Sequence, residues 1–215
     1  ARFLKRWFDD NDGPLYEMFD VDLVPESVYR LDHDGGPDDR SSILGLANML
    51  ADPTARVSVE GAAWLDVDTF TAYFGASGVI GQFDAYPYSF PGDDVYLYVD
   101  PLDQRIHMLP HGGDETFNDP DRPADYVFGL LAVRCLADPA CEEMFDAAIW
   151  RAQDTIEAMN LVARIEAWSA LVPPAALRQR TPFSVADVNA ARAQQLDFIQ
   201  NRRVRLQQMP GIEGP

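Results

Sequence analysis

Apolar positions along this chain fall mostly into helical spacing. From residue 42 to residue 51, Ile43, Leu46, Ala47 and Leu50 recur three and four apart, which predicts a helix with one buried face. Asp38 or Asp39 stands where it can cap that helix, and Pro53 stops it. Asp66-Val67-Asp68 opens a second helix with Val67, Phe70 and Phe74 inward, Asp68 near its positive end, and Gly75 and Gly78 as its expected end. Residues 127–136 predict a third. Phe145, Ile149, Ala152, Ile156, Met159 and Ala163 draw one stripe along a long helix over 142–171, closed by Pro173-Pro174. Ser184, with Asp187 three residues on, forms a capping box for a last helix carrying Val185, Val188, Leu196, Ile199 and Leu206.

Strand patterns are fewer. The clearest pair is 95–98 and 106–109, with Asp100-Pro101-Leu102-Asp103-Gln104 as the hairpin loop. Residues 15–19 read as a short strand, and 28–31 fit another. Residues 2–8 read as a short helix, followed by a turn through Asn11-Asp12-Gly13-Pro14, while 20–25 are irregular. The run Asp32-His33-Asp34-Gly35-Gly36-Pro37-Asp38-Asp39 resembles a calcium loop only loosely, because the position where an EF-hand needs Glu is Ile43. It reads as a solvated acidic loop. The sum is an α+β chain, mostly helical, with one β hairpin.

Composition narrows the class of function. Hydrophobic residues make up 47 %, the mark of a globular chain. No apolar run approaches the roughly 18–20 residues that cross a bilayer, so no membrane span is expected. Lys and Arg number 17 against 35 Asp and Glu, a net charge of −18 that argues against nucleic acid or an anionic membrane as partner. The chain opens at Ala1 without a leader and reads as a piece of a longer protein, so a missing signal peptide says nothing about export. His33 and His107 have no sequence partners at metal-ligand spacing, and zinc or acyl-transfer motifs are absent from the sequence. Cys135 and Cys141 flank Asp138-Pro139, a turn that can bring their side chains together. Two readings stay open on the residues alone: a local disulfide of an extracellular protein, or two reduced thiols at the ends of adjacent helices.

The candidate chemistry lies between residues 79 and 117. Acids there open or close apolar segments: Asp84 after Val79-Ile80-Gly81, Asp93 and Asp94 before Val95-Tyr96-Leu97-Tyr98, and Asp114 after Pro110-His111-Gly112-Gly113. Any of them can be a turn or capping aspartate. Together they also make the set that phosphoryl transfer requires: one carboxylate for the attacking hydroxyl and two oxygen ligands for Mg²⁺.

The order of these pieces resembles the spore-coat protein H (CotH) kinase family, an atypical, secreted branch of the protein-kinase-like fold. In that family an apolar-Gly-x-x-Asp run precedes an Asn-containing strand opening, a Tyr-Leu-Tyr-x-Asp-Pro strand and a Pro-(Trp/His)-x-x-Asp-x-x-Phe element. Here these read Val79 to Asp84, then Asp93-Asp94-Val95-Tyr96-Leu97-Tyr98-Val99-Asp100-Pro101, then Pro110-His111-Gly112-Gly113-Asp114-Glu115-Thr116-Phe117. The opening, Phe3-Leu4-Lys5-Arg6-Trp7-Phe8 to Leu15-Tyr16-Glu17, is similar as well. The resemblance implies that residues 1–215 form the C-terminal lobe of an atypical kinase-like fold, with the nucleotide-gripping lobe expected upstream. It implies transfer of the γ-phosphoryl of ATP to Ser or Thr of an extracellular, envelope or spore-coat protein, with Mg²⁺ or Mn²⁺. Asp84 is then the catalytic base, and Asp114 with Asp94 or Asp93 holds metal. His111 occupies the Trp/His position and reads as a packing and positioning residue. The secreted setting also implies that Cys135 and Cys141 are bonded. The chain departs from the family pattern in carrying Asp where Asn is usual. A lobe that kept the fold and lost the chemistry, a pseudokinase-like binding module, is the rival reading.

Overall fold

The structure is a computed structural model that describes residues 3–114, 116–171 and 184–212. Among them lie a four-stranded antiparallel sheet and six α-helices. The strands are β1 (Leu15–Met18), β2 (Asp32–Gly35), β3 (Val95–Val99) and β4 (Ile106–Pro110), in the spatial order β2-β1-β3-β4. The helices are α1 (Ser41–Ala51), α2 (Val67–Ile80), α3 (Leu130–Leu136), α4 (Pro139–Ala158), α5 (Leu161–Leu171) and α6 (Val185–Gln208).

The expected hairpin is therefore only half of the sheet. β1 pairs with β3 in the register Leu15↔Tyr98 to Met18↔Val95, and β2 closes the other side of β1. β2 falls on the acidic run read as a loop, whereas the strand expected at 28–31 is a 3₁₀ turn, Val28–Arg30. The physical reason is position. β2 is an edge strand with exposed side chains, so it needs only backbone pairing with β1 and carries the charges that discourage further pairing. The N-terminal helix likewise shortens to a single 3₁₀ turn, Leu4–Arg6.

One face of the sheet, with Tyr16, Met18, Val95, Leu97, Val99, Ile106 and Met108 buried, packs toward α2, and α4 covers the far side of α2. Phe74 of α2 stacks on Phe145 of α4 with ring centroids 4.1 Å apart. α2 does not stop at Gly75 or Gly78. A Cβ on Gly75 would lie 2.8 Å from the backbone nitrogen of Ile149, and one on Gly78 would lie 2.3 Å from the Tyr88 hydroxyl. Close approach of neighbours, rather than helix termination, is why these positions lack side chains. The helix ends at Gly81, whose φ of 68° is left-handed.

Both ends of α2 are held. At its start the Asp66 carboxylate accepts from the amide of Thr69, and residues 64–66 pair with Ile106 on β4. At its end Arg202 of α6 donates to the carbonyls of Gly78, Val79 (3.0 Å) and Pro120 (2.8 Å), with its guanidinium 4.9 Å over the ring of Phe198. Arg202 is 1 % exposed, and burial lowers its pKa to about 10, which leaves it charged at neutral pH.

The remaining helices depart from expectation in detail. α3 begins at Leu130, where the Asp22 carboxylate accepts from its amide. The single helix over 142–171 is two, α4 and α5, broken at Asn160 in left-handed backbone (φ 49°). Asn tolerates that conformation. The apolar stripe accordingly stops: Phe145 and Ile149 are buried, Met159 is exposed, and α5 buries no residue. The Pro173-Pro174 stop lies outside the described residues, as does Glu115. The capping box at Ser184 and Asp187 forms. α6 is seated by Phe198, Arg202 and Leu206, four apart. Cys135 and Cys141 are joined by a disulfide with Cα atoms 5.1 Å apart, across the joint between α3 and α4. Closing so short a loop contributes about 2 kcal/mol. Asp138 in that joint caps α4 and accepts from the amide of Ser58 at 2.8 Å.

Replacing Arg202 with Met removes three hydrogen bonds and leaves the carbonyls of Gly78, Val79 and Pro120 without this donor. Each buried group left unpaired costs about 1–3 kcal/mol. Urea unfolding of Arg202→Met is expected to show a loss of roughly 3 kcal/mol or more. A loss under about 1 kcal/mol would mean that the α2 terminus does not depend on this contact.

Candidate active site

The turn that follows α2 carries the first functional group. Gly81 is required twice over, by its left-handed φ and because a Cβ there would lie 3.2 Å from the Phe198 ring. Next comes Gln82, buried, whose side-chain amide donates to the carbonyl of His111 at 2.6 Å. Phe83 lies edge-on to Tyr88, and Ala85, Tyr86 and Tyr88 are buried. The Tyr86 hydroxyl donates to Asp22 at 2.8 Å, and that of Tyr88 to the carbonyl of Ala124 at 2.8 Å. Asp84 alone in this stretch faces solvent. Its neighbours are all pinned, so an exposed carboxylate is presented on a rigid turn.

The second group sits at the opening of β3. The Asp93 carboxylate accepts from the amide of Asp94 at 2.8 Å and is turned back on the chain. Asp94 has left-handed backbone, φ 51°. Among residues with side chains, Asn and Asp visit that region most readily, so Asp suits this backbone. The Asp94 carboxylate lies directly over Gly112: a Cβ there would fall within 2.1–2.2 Å of all three carboxylate atoms. Gly112 is also left-handed, φ 62°.

The third group lies on the loop after β4. Asp114 is exposed. Its loop is fastened on both sides to the end of α2: the carbonyl of His111 accepts from Gln82, and the amide of Phe117 donates to the carbonyl of Ile80 at 2.8 Å. The Phe117 ring meets Phe198 of α6 edge-on at 5.5 Å.

These elements bring the four acids together electrostatically. The carboxyl of Asp94 titrates above the ordinary carboxylate range. Burial is the largest cause; His111 opposes it, and the negative charges of Asp93, Asp84 and Asp114 add to it. A half-buried carboxylate under the influence of three anions is a costly arrangement, and a bound cation relieves it. The donors are hard oxygens, which suit Mg²⁺ or Mn²⁺ rather than zinc. Asp94, Asp93 and Asp114 offer such oxygens, one oxygen of Asp93 being taken by the amide of Asp94.

Sequence spacing hid a second group. Asp100, Asp103 and His107 offer ligand atoms within 4.8 Å of one another at the β3–β4 hairpin, so His107 does have acidic partners in space. The acids 84, 94 and 114 do not form so tight a trio among the described residues. At the hairpin, however, a cation is already supplied: Arg105 pairs with Asp103 at 2.6 Å. Two residues with no motif to announce them complete the candidate site. Gln82 links its two loops, and Glu17 on β1 approaches His111.

A family model described as CotH kinase protein matches residues 1–206. No curated protein matches the chain. The chain belongs to the CotH kinase family.

The raised pKa of Asp94 has a consequence for stability. Its folded pKa lies above its unfolded value, so the ionised group destabilises the fold without metal. That penalty is absent below the ordinary carboxylate value, grows as pH rises to the folded value, and is constant above it. Asp94→Asn is therefore expected to melt at a higher temperature than the parent at pH 7 in chelator-treated buffer, with the gain fading on acidification. A variant that melts lower at pH 7 would contradict the placement of Asp94 against the other acids.

Proposed function

We propose that this chain carries the catalytic base and the metal ligands of a secreted protein kinase. The reaction moves the γ-phosphoryl of ATP to a Ser or Thr hydroxyl of an extracellular, envelope or spore-coat protein. The observation that carries this reading is Asp94, partly buried in left-handed backbone against Gly112, with its carboxyl raised by burial and by the charges of Asp93, Asp84 and Asp114. A module with only a structural role has no use for such a cost, whereas a site built to receive a cation does.

In this reading Asp84 accepts the proton of the substrate hydroxyl as its oxygen bonds to the γ-phosphorus and the bond to the bridging oxygen of ADP breaks. Its exposure leaves it open to a protein substrate. Asp94 and Asp114 hold Mg²⁺ or Mn²⁺, which when bound neutralises charge on the nucleotide phosphates. The Asp in place of Asn adds one negative charge to the metal site. The groups that grip ATP in kinases, a strand Lys and its Glu partner, are assigned to a lobe preceding these residues. Secretion is supported by the disulfide between Cys135 and Cys141, which belongs to an oxidising compartment. Among the described residues no helix is long and apolar enough to cross a membrane.

The test uses the full-length gene product, radiolabelled ATP with Mn²⁺, and a Ser-containing coat or envelope protein as acceptor. Asp84→Asn is expected to lower transfer by about 10²–10⁴-fold while Mn²⁺ still binds. Asp114→Ala is expected to lose both transfer and Mn²⁺ binding. Transfer at the parent rate by Asp84→Asn would remove Asp84 as the base. Absence of transfer by the parent under conditions where it binds both metal and ATP would favour the non-catalytic binding module.

A further inference from the structure

Glutamine is mostly a surface residue, yet Gln82 is 3 % exposed, inside the turn that presents Asp84. A buried side-chain amide costs free energy unless it is hydrogen-bonded. Here the amide donates to the carbonyl of His111 at 2.6 Å. That carbonyl lies at the root of the loop that carries Asp114. The next residue, Gly112, is where the Asp94 carboxylate rests, since a Cβ on it would fall within 2.1–2.2 Å of that group. One hydrogen bond therefore ties the turn of the proposed base to the seat of one proposed ligand and to the loop of another.

The loop needs such a tie. Gly112 and Gly113 give it a stretch of backbone that loses more conformational freedom on ordering than any other residues would. Its fastenings to the end of α2 stand on either side of Asp114. One is Gln82 at His111; the other is the carbonyl of Ile80, which accepts from the amide of Phe117 at 2.8 Å. The second is backbone to backbone, whereas the first depends on a single side chain. The turn is held separately: Gly81 is left-handed, the Tyr73 hydroxyl accepts from the amide of Tyr86 at 3.2 Å, and the Tyr88 hydroxyl donates to Ala124. Loss of the Gln82 bond thus loosens the loop and leaves the turn in place.

We infer that Gln82 is a positioning residue: its hydrogen bond to the His111 carbonyl holds the metal-binding loop against the turn of Asp84, so that the site is ordered before the cation arrives. The inference rests on the proposed reading of Asp94 and Asp114 as metal ligands. Groups that stand behind metal ligands and fix their orientation typically change metal affinity about 10–100-fold when removed. Gln suits the position because its amide supplies the donor and, being neutral, adds no further charge beside the acids.

The test is a Mn²⁺ titration of the full chain, read by the electron paramagnetic resonance of free Mn²⁺, with a thermal melt of each variant. Gln82→Met keeps the length of the side chain and removes the donor; it is expected to weaken Mn²⁺ binding about 10–100-fold. Gly113→Ala narrows the freedom of the loop at a glycine that is not left-handed and whose added Cβ meets nothing within 4 Å. Placed in the Gln82→Met background, it is expected to recover part of the loss. Unchanged Mn²⁺ affinity in Gln82→Met, whatever its melting temperature, would show a merely structural amide and overturn the inference. A loss that Gly113→Ala does not reduce would show that the bond does not act by ordering the loop, and would overturn it too. If Gln82→Met does not fold, Gln82→Asn, which keeps the amide one methylene short of His111, takes its place with the same expected loss. Asp94→Ala and Asp114→Ala separate the two levels: if they abolish Mn²⁺ binding and the Gln82 variants do not weaken it, only the positioning role fails. If they leave Mn²⁺ binding intact, the metal site itself is misplaced and the inference falls with it.

Discussion

The guanidinium of Arg202 meets the end of α2 inside the protein, where the last carbonyls of a helix carry partial negative charge and have no partners within the helix. Its donors reach the carbonyls of Gly78 and Val79, and its face lies over Phe198. The turn that carries Asp84 and the loop that carries Asp114 hang from this terminus. Gly81 turns the chain there, Gln82 reaches across to the loop after β4, and Ile80 accepts from Phe117 at that loop's far side. Phe198 packs against both Gly81 and Phe117. α6 thus acts as a clamp on the turn that presents Asp84 and on the loop that presents Asp114.

The sheet supplies the remaining coordinate. β3 delivers Asp94 in left-handed backbone, and β4 delivers His111 and Gly112 against it. The site therefore depends on the relative placement of one helix end and one hairpin, with α2 fastened to β4 at its start through residues 64–66. Because α2 is tied to the sheet at one end and to α6 at the other, neither loop can move without disturbing buried contacts. Such rigidity is what a phosphoryl-transfer site needs, since its catalysis is largely positioning and electrostatics.

Much of this was legible in the sequence, for identifiable reasons. Helical spacing located α1, α2 and α4, because their apolar stripes bury against a core and burial is what selects such stripes. The capping box at Ser184 is a local motif and formed as read. The hairpin of β3 and β4 followed from its β-branched and aromatic runs. The acids at the ends of apolar segments pointed to the site, and the structure adds that Asp94 sits in left-handed backbone against Gly112 while Asp93 accepts from the Asp94 amide. What could not be read was non-local. Gly75 and Gly78 look like helix breakers unless the approach of Ile149 and Tyr88 is known. β2 is too polar to announce itself, since an edge strand with exposed side chains follows no hydrophobic alternation. Arg202 is one of several charges on a charged helix, and only its spacing from Phe198 and Leu206 by four residues marks the buried face. Gln82 and Glu17 carry no signal at all, because what defines them is a partner about thirty or more residues away.

The central claim is that one divalent cation belongs between Asp94 and Asp114, on the loops that the end of α2 holds together. Anomalous diffraction from crystals of the chain grown with Mn²⁺ tests it most directly. The account predicts a single strong peak within bonding distance of the Asp94 and Asp114 carboxylates, about 2.1–2.3 Å from oxygen, with Asp84 nearby and free of the metal. A peak at the Asp100–Asp103–His107 hairpin with none at Asp94 and Asp114 would contradict it.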